Sequence, residues 1–248
     1  GKLRDSKIPD VEGIFKPHLN INLDQAVSLK ECPFFVGRYL RSVQNRESPQ
    51  WLKNRLIGIG LNPISALVDI TNYLTFDRAR PLHVFDADKL SGGLTVRRSF
   101  EGEKFHALDD KIYELNEGMI VITDENEIVS LGGIIGGMKS AVSDETKNVL
   151  LEAAYFDPIS IAATGRKLQI NSDARYRFER GVDPSFTLSG SHIATKMILD
   201  LCGGEASDII IAGSVPSFEK KITFDPKKVN QLIGIEVNKS RQFEILKS

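Results

Sequence analysis

One acidic residue stands inside an apolar run, Asn148-Val149-Leu150-Leu151-Glu152-Ala153-Ala154-Tyr155-Phe156. A carboxylate with eight uncharged neighbours is costly to bury unless something binds it. Two readings follow from the residues. Glu152 either pairs with an arginine, such as Arg166 or Arg177, or serves as a polar acceptor at the end of an aromatic pocket. Such an acceptor would bind a phenolic hydroxyl and reject the plain phenyl ring, which would leave the buried acid unpaired. Two earlier strings add polar groups: Asp69-Ile70-Thr71-Asn72-Tyr73 and Pro81-Leu82-His83-Val84-Phe85-Asp86. His83 is either a satisfied core residue or a group that positions a water or an ester carbonyl. Thr71 and Asn72 fall on an expected helix, where a back-bonded hydroxyl and a surface amide are the plain alternatives to a site role. The segment Leu131-Gly132-Gly133-Ile134-Ile135-Gly136-Gly137 allows close backbone approach to a ligand or to another strand, or makes a simple turn. It lacks the Lys-Ser/Thr ending of a phosphate loop, and the chain has no nucleophile elbow, no GxGxxG after a strand and no HExxH.

The elements that must hold these groups are mixed in type. Phe34-Phe35-Val36-Gly37-Arg38-Tyr39-Leu40 reads as a strand. Ser48 and Pro49 predict a helix start that carries Trp51, Leu52, Arg55 and Leu56 and ends at Gly58 and Gly60. Pro63 opens a second helical stretch with Val68, Thr71, Asn72 and Leu74. Residues 94–98, 119–123 and 128–130 are short β patterns, the last two linked by a hairpin at Asp124-Glu125-Asn126. Three Asp-Pro pairs, at 157, 183 and 225, each predict a helix start. The helix from Pro184 stops at Gly203-Gly204, and Ile209-Ile210-Ile211 reads as a fully apolar strand. This order is α+β, with sheets layered against helices. Residues 1–30 read as an N-terminal arm, 31–213 as the main domain, and 214–248 as a linker followed by the start of another module. The ends suggest a piece of a longer chain.

Composition excludes several classes. The 248 residues are 41% hydrophobic and 26% charged, as in an ordinary soluble protein. A net charge of −1 argues against strong autonomous nucleic-acid binding, while a weak or assisted contact remains open. Cys32 and Cys202 are far apart and the four histidines are scattered, so neither a disulfide framework nor a sequence-local metal site is expected. No stretch reaches transmembrane length and the start is no signal peptide, so the expected place is the cytoplasm, with no membrane partner.

Taken in order and spacing, the strings resemble one family: the β subunit of bacterial phenylalanyl-tRNA synthetase, in its B3/B4 editing domain. His83 follows Thr71 by twelve positions, as in that family. The Gly-rich segment, the Leu-Glu-Ala-Ala-Tyr-Phe string, Ser172-Asp173-Ala174 and Arg177-Phe178-Glu179-Arg180-Gly181 follow, and the resemblance covers residues 33 to 213. The tail from Lys221 resembles the start of the next domain, B5. The resemblance implies a layered β/β/α fold and hydrolysis of Tyr-tRNA(Phe), mischarged because a phenylalanine pocket excludes tyrosine only about a hundredfold. It places Glu152 on the tyrosine hydroxyl and Gly136, Ser172 and Ala174 around the side chain. His83 and Thr71, as catalytic groups, and Asn72 are placed near the ester and the terminal adenosine, with an oriented water as attacker. It implies no cofactor for this segment, ATP and Mg²⁺ for the whole enzyme, and two partners: the tRNA(Phe) 3′ end and an α subunit in an α2β2 assembly. Three departures stand out: Asn62 where the family has Arg, Ala79-Arg80 in place of Gly-Gln, and Ser172 in place of Thr. Asn62 and the near-neutral charge favour a rival reading, a structural or tRNA-contacting module with editing lost. A second rival, a free-standing ester hydrolase, is opposed by the truncated-looking ends.

Overall fold

The computed structural model describes residues 7–217 and 221–247. It divides into two compact units, residues 1–216 and 217–248. The first six residues of the expected arm and Ser248 lie outside the described residues.

The larger unit is built on two sheets. Its elements begin with β1 (Ile21–Leu23), α1 (Gln25–Ser28), β2 (Phe34–Arg41), α2 (Gln50–Gly58), α3 (Ala66–Asp77) and β3 (His83–Asp86). The strand-rich middle holds β4 (Leu94–Arg98), β5 (Glu103–His106), β6 (Ile112–Leu115), β7 (Ile120–Thr123), β8 (Ile128–Leu131) and β9 (Ile135–Gly136). Then come β10 (Val149–Tyr155), α4 (Pro158–Lys167), α5 (Asp173–Phe178), α6 (Phe186–Cys202) and β11 (Glu205–Gly213). One sheet has the order β1-β4-β7-β8-β9, parallel only where β1 meets β4. The other is antiparallel, β11-β2-β10-β3, and β5-β6 is a separate hairpin. The end of the expected arm is thus a working edge of the first sheet.

Burial explains the layering. Strand β10 is buried along its whole length, because both of its faces are covered. Leu150 and Ala154 face the five-stranded sheet, in a core with Val96, Val121, Ile122 and Val129. Val149 and Leu151 face the other way, against Leu56 of α2, Ile70 of α3 and Ile198 of α6. The result is a β/β/α stack, and the α+β class is correct. Glu152 shares the Leu150 and Ala154 face by strand alternation. It therefore points between the sheets rather than to solvent.

Three local expectations need correction. Ser48 does not cap α2; its hydroxyl donates instead to Asp69 Oδ2 at 2.6 Å, and Pro49 is the capping position without a side-chain bond. The second helix begins at Ala66, three residues beyond Pro63. Asp157 and Asp225 cap α4 and the first helix of the smaller unit, but Asp183 accepts from Ser185 N and Oγ, so α6 starts at Phe186. Strand β11 lies at a sheet edge, so its isoleucines are only partly covered and Ile211 is exposed.

In the smaller unit, residues 221–225 have no strand, and α7 (Pro226–Ile233) and α8 (Lys239–Lys247) follow. Gln242 Nε2 ties its turns together by donating to the carbonyls of Pro226 and Val237 and to Asn230 Oδ1.

Candidate active site

Strand pairing brings the two chemically distinctive residues face to face. Strand β10 lies antiparallel to β3 with Glu152 directly opposite His83. Strand β3 is the edge of its sheet, so the pair opens sideways into a cavity of about 340 Å³. That volume lies in the range of small-molecule sites, roughly 300–1,000 Å³. The walls come from Asn72 of α3, the Gly133–Gly136 turn, and Ser172, Ala174 and Phe178 at α5.

Neither Arg166 nor Arg177 pairs with Glu152. Arg177 donates to the Asp173 carboxylate at 3.2 Å and stacks over Phe76 at 4.1 Å. Glu152 Oε2 is buried without any hydrogen-bond partner. Burial pushes its carboxyl up to about 8. His83 is half-buried as a residue, but its Nε2 is fully buried and also lacks a partner. Burial lowers the imidazole to about 4, so it is neutral at pH 7. Its ring packs edge-on against Phe85, with centroids 4.5 Å apart. Two orphaned polar groups thus share one cavity of mixed polar and apolar lining, each able to take a hydrogen bond from a ligand at little further desolvation cost.

The wall residues have defined supports. A Cβ on Gly136 would sit 2.7 Å from His83 Nε2 and 3.0 Å from Leu108 Cδ1, so only glycine leaves this cavity open. The Gly-rich segment is a tight β8–β9 connection in which Gly133 adopts φ 67°. Gly132 N and Gly137 N donate to the carbonyls of Ile120 and Val129, so these amides serve the sheet rather than a ligand. Ser172 Oγ accepts from Arg175 N, capping α5, and donates to the Ile134 carbonyl at 2.6 Å. That single hydroxyl locks α5 onto the Gly-rich turn. Phe178 closes the floor by packing edge-on against Phe156 at 5.2 Å, a geometry worth about 0.5–1.5 kcal/mol.

Six of the seven expected residues line the cavity: Asn72, His83, Gly136, Glu152, Ser172 and Ala174. Thr71 does not. It is buried, and its hydroxyl donates to the Val68 carbonyl at 2.8 Å, the back-bonded arrangement open to any helical threonine. The motif acids are structural as well. Asp69 accepts from Ser48 Oγ and Ile64 N, and Asp86 accepts from Thr146 Oγ1 at 2.6 Å. Sequence reasoning gave no site role to the other eight lining residues, Leu108 and Ile135 among them. Leu108 follows β5 in an exposed turn and carries no motif; Ile135 lay inside the Gly-rich string, where a glycine-centred reading passes over it. Among the described residues no His, Cys, Asp and Glu group could hold a metal ion, both cysteines are free and buried, and no helix is long and apolar enough to cross a membrane.

The geometry has relatives. The B3/4 domain family matches residues 31–203. The chain is 51% identical over 242 residues to the phenylalanine–tRNA ligase β subunit of Cereibacter sphaeroides, covering 98% of this chain and 30% of that protein. It is 52% identical over 247 residues to the β subunit of Paramagnetospirillum magneticum, covering 99% of this chain and 31% of that one. The chain thus spans about 30% of the length of the curated relatives it matches. Among solved structures it is similar to an N-terminal fragment of the phenylalanyl-tRNA synthetase β subunit from Pyrococcus horikoshii. The TM-score is 0.50 at 14% identity, over 94% of this chain and 64% of that one, a likeness of fold alone.

Proposed function

The chain belongs to the B3/4 domain family as phenylalanine–tRNA ligase β subunits carry it, and on that premise we propose that its cavity hydrolyses tyrosine mischarged onto tRNA(Phe). The observation that carries this reading is the unmade hydrogen bond at Glu152 Oε2, deep in a cavity that also holds His83 and Asn72. A tyrosine side chain entering from the β3 edge brings a hydroxyl to that carboxyl. Phenylalanine brings none and leaves the buried oxygen orphaned. The penalty for such an orphan is about 1–3 kcal/mol, enough to sort the two esters.

The reaction needs only positioning and polarisation by this chain's own groups. Gly136, Ser172 and Ala174 wall the side chain. Neutral His83, aimed past Gly136, holds the water or the ester carbonyl by one hydrogen bond. Asn72 supplies an amide at the mouth, where the terminal adenosine sits. Water attacks the ester carbonyl, the tetrahedral centre collapses, and the bond to the ribose oxygen breaks with return of the proton to that oxygen. No covalent intermediate on the protein is required. Thr71 acts through the helix, fixing the turn that presents Asn72, and not at the ester. In the whole enzyme this hydrolysis accompanies ATP- and Mg²⁺-dependent ligation of phenylalanine at a separate site, alongside an α subunit in an α2β2 assembly, in the cytoplasm.

A second reading has one observation in its favour. The Thr71 hydroxyl is committed to its own helix, so one expected catalytic group is missing from the cavity. In that reading the domain contacts tRNA or shapes the β chain without hydrolysing anything. Preformed Tyr-tRNA(Phe) and Phe-tRNA(Phe), each incubated with the complete synthetase, separate the two. Selective loss of the tyrosyl ester supports editing; equal, background loss of both esters supports the non-catalytic module.

A further inference from the structure

A second cavity of the main unit lies beside the site and has a different character. It measures about 610 Å³ and is lined by Arg78, Arg80, Arg177 and Arg180 against only two carboxylates, Asp77 and Asp183. Asp183 accepts from Ser185, while Arg78, Arg177 and Arg180 pair with Asp77, Asp173 and Glu179 at 2.9, 3.2 and 2.7 Å, which leaves Arg80 without a carboxylate partner among the described residues. Aromatic faces interleave with the cations. Arg180 lies 3.7 Å over the ring of Tyr176, which is 56% exposed, and Arg177 lies 4.1 Å over Phe76.

Arg80 is the informative residue. It is 1% exposed, a burial that a guanidinium tolerates only when its donors are used. Its Nη1 donates to Thr187 Oγ1 at 2.7 Å, but Nη2 is buried with no partner. Its stem crosses α6 at Gly190, where a Cβ would sit 2.7 Å from Arg80 Cγ. A buried cationic donor is therefore held, unsatisfied, in the wall of a basic cleft.

The cleft and the Glu152 cavity share their walls. Helix α3 gives Asn72 to the cavity and Phe76 to the cleft, four residues on. The 80–83 strap gives His83 to one and Arg80 to the other. Helix α5 gives Ala174 to the cavity and Tyr176 to the cleft, and Arg80 meets Phe178 across the partition at 5.8 Å.

We propose that this cleft binds the single-stranded 3′ end of the tRNA. Arg80 and Arg180 take its phosphates, and a base stacks on Tyr176. Guanidiniums next to open aromatic faces suit a phosphodiester strand, which offers both an anion and a π-surface at each step. The inference rests on the editing reading for the identity of its RNA, since the esterified nucleotide must enter the neighbouring cavity. It reconciles the net charge of −1 with an RNA substrate: the basic surplus is local.

The test uses the complete synthetase and an unacylated RNA oligonucleotide with the tRNA(Phe) 3′-terminal sequence, so that binding needs no hydrolysis. Tyr176→Ala is expected to weaken affinity about tenfold, the loss of one stacked base. Arg180→Ala is expected to weaken it and to lower the slope of log affinity against log salt by about one. Arg80→Gln should weaken it too, with thermal unfolding recorded alongside; if that variant does not fold, the two surface variants decide. Unchanged affinity in both Tyr176→Ala and Arg180→Ala overturns the proposal. So does displacement of the oligonucleotide by inorganic phosphate at equal concentration, which would reduce the cleft to a simple anion site. If the wild-type enzyme spares Tyr-tRNA(Phe) while the variants still lose the oligonucleotide, the editing reading fails and the cleft stands. If Glu152 governs hydrolysis while the variants bind normally, the cleft fails and the editing reading stands.

Discussion

Asp69 and Glu152 are both buried acids, one in the first turn of α3 and one in the middle of β10. Asp69 has each oxygen occupied from within, by the Ser48 hydroxyl and the Ile64 amide. Glu152 has a buried oxygen with no partner, and the residue lines the cavity. Both sit in the strings that carry the family resemblance, and although the sequence singles out Glu152, it does not show whether either carboxylate finds a partner. The structure separates a carboxylate that holds the chain in shape from one whose bond is left for a ligand. Each way of exchanging these roles gives a measurable result.

The largest effect belongs to the satisfied acid. Asp69→Ala strands the Ser48 hydroxyl and the Ile64 amide, and is expected to cost about 3 kcal/mol of stability. The urea midpoint should fall while hydrolysis per folded molecule stays near the parental rate. A loss of hydrolysis with an unchanged midpoint would erase the contrast with Glu152.

Next comes the wall. Gly136→Ala places a methyl group on His83 and Leu108. Displacing the imidazole is expected to lower tyrosyl-ester hydrolysis by up to about a hundredfold. Stability should change by only about 1–3 kcal/mol, the usual range for overpacking. Full activity in this variant would move His83 away from the ester.

The pH dependence is the third handle. Glu152 holds its proton in the folded state up to about 8, above an ordinary value of 4.5. The folded protein therefore binds the extra proton between those values. Its contribution is complete below 4.5 and is lost as pH rises through about 8. His83 runs the other way: folded near 4 against an ordinary 6.5, it favours the native state above 6.5 and loses that contribution as pH falls through about 4. Between 4.5 and 6.5 the two slopes oppose each other; from 6.5 to 8 only the Glu152 slope remains. Stability should drop by about 2 kcal/mol over that last interval in the parent and by much less in Glu152→Gln. Parallel curves for the two proteins would mean that Glu152 is already ionised when folded.

How much was legible beforehand follows the same division. Strand β2 and the caps at Asp157 and Asp225 could be read because local pattern and tertiary role agree there, and the cavity set from Asn72 to Ala174 was implied by the family resemblance. Ser48 and Asp183 misled by a few residues, since a hydroxyl or carboxylate that can cap one turn can equally bond a neighbour. Thr71 misled because its motif position says nothing about which side of the helix its hydroxyl takes. The unpaired state of Glu152 and of Arg80 was not legible at all. Each depends on which donors and acceptors the fold fails to bring near, and no spacing in the chain records a missing partner.

The most direct test of the central claim is the ratio of Tyr-tRNA(Phe) to Phe-tRNA(Phe) hydrolysis by the complete synthetase, measured for the parent and for Glu152→Ala with the unfolding midpoint of each. The unmade bond at Glu152 predicts a high ratio in the parent that collapses toward one in Glu152→Ala, with the midpoint nearly unmoved. An undiminished ratio in a folded Glu152→Ala enzyme would contradict it.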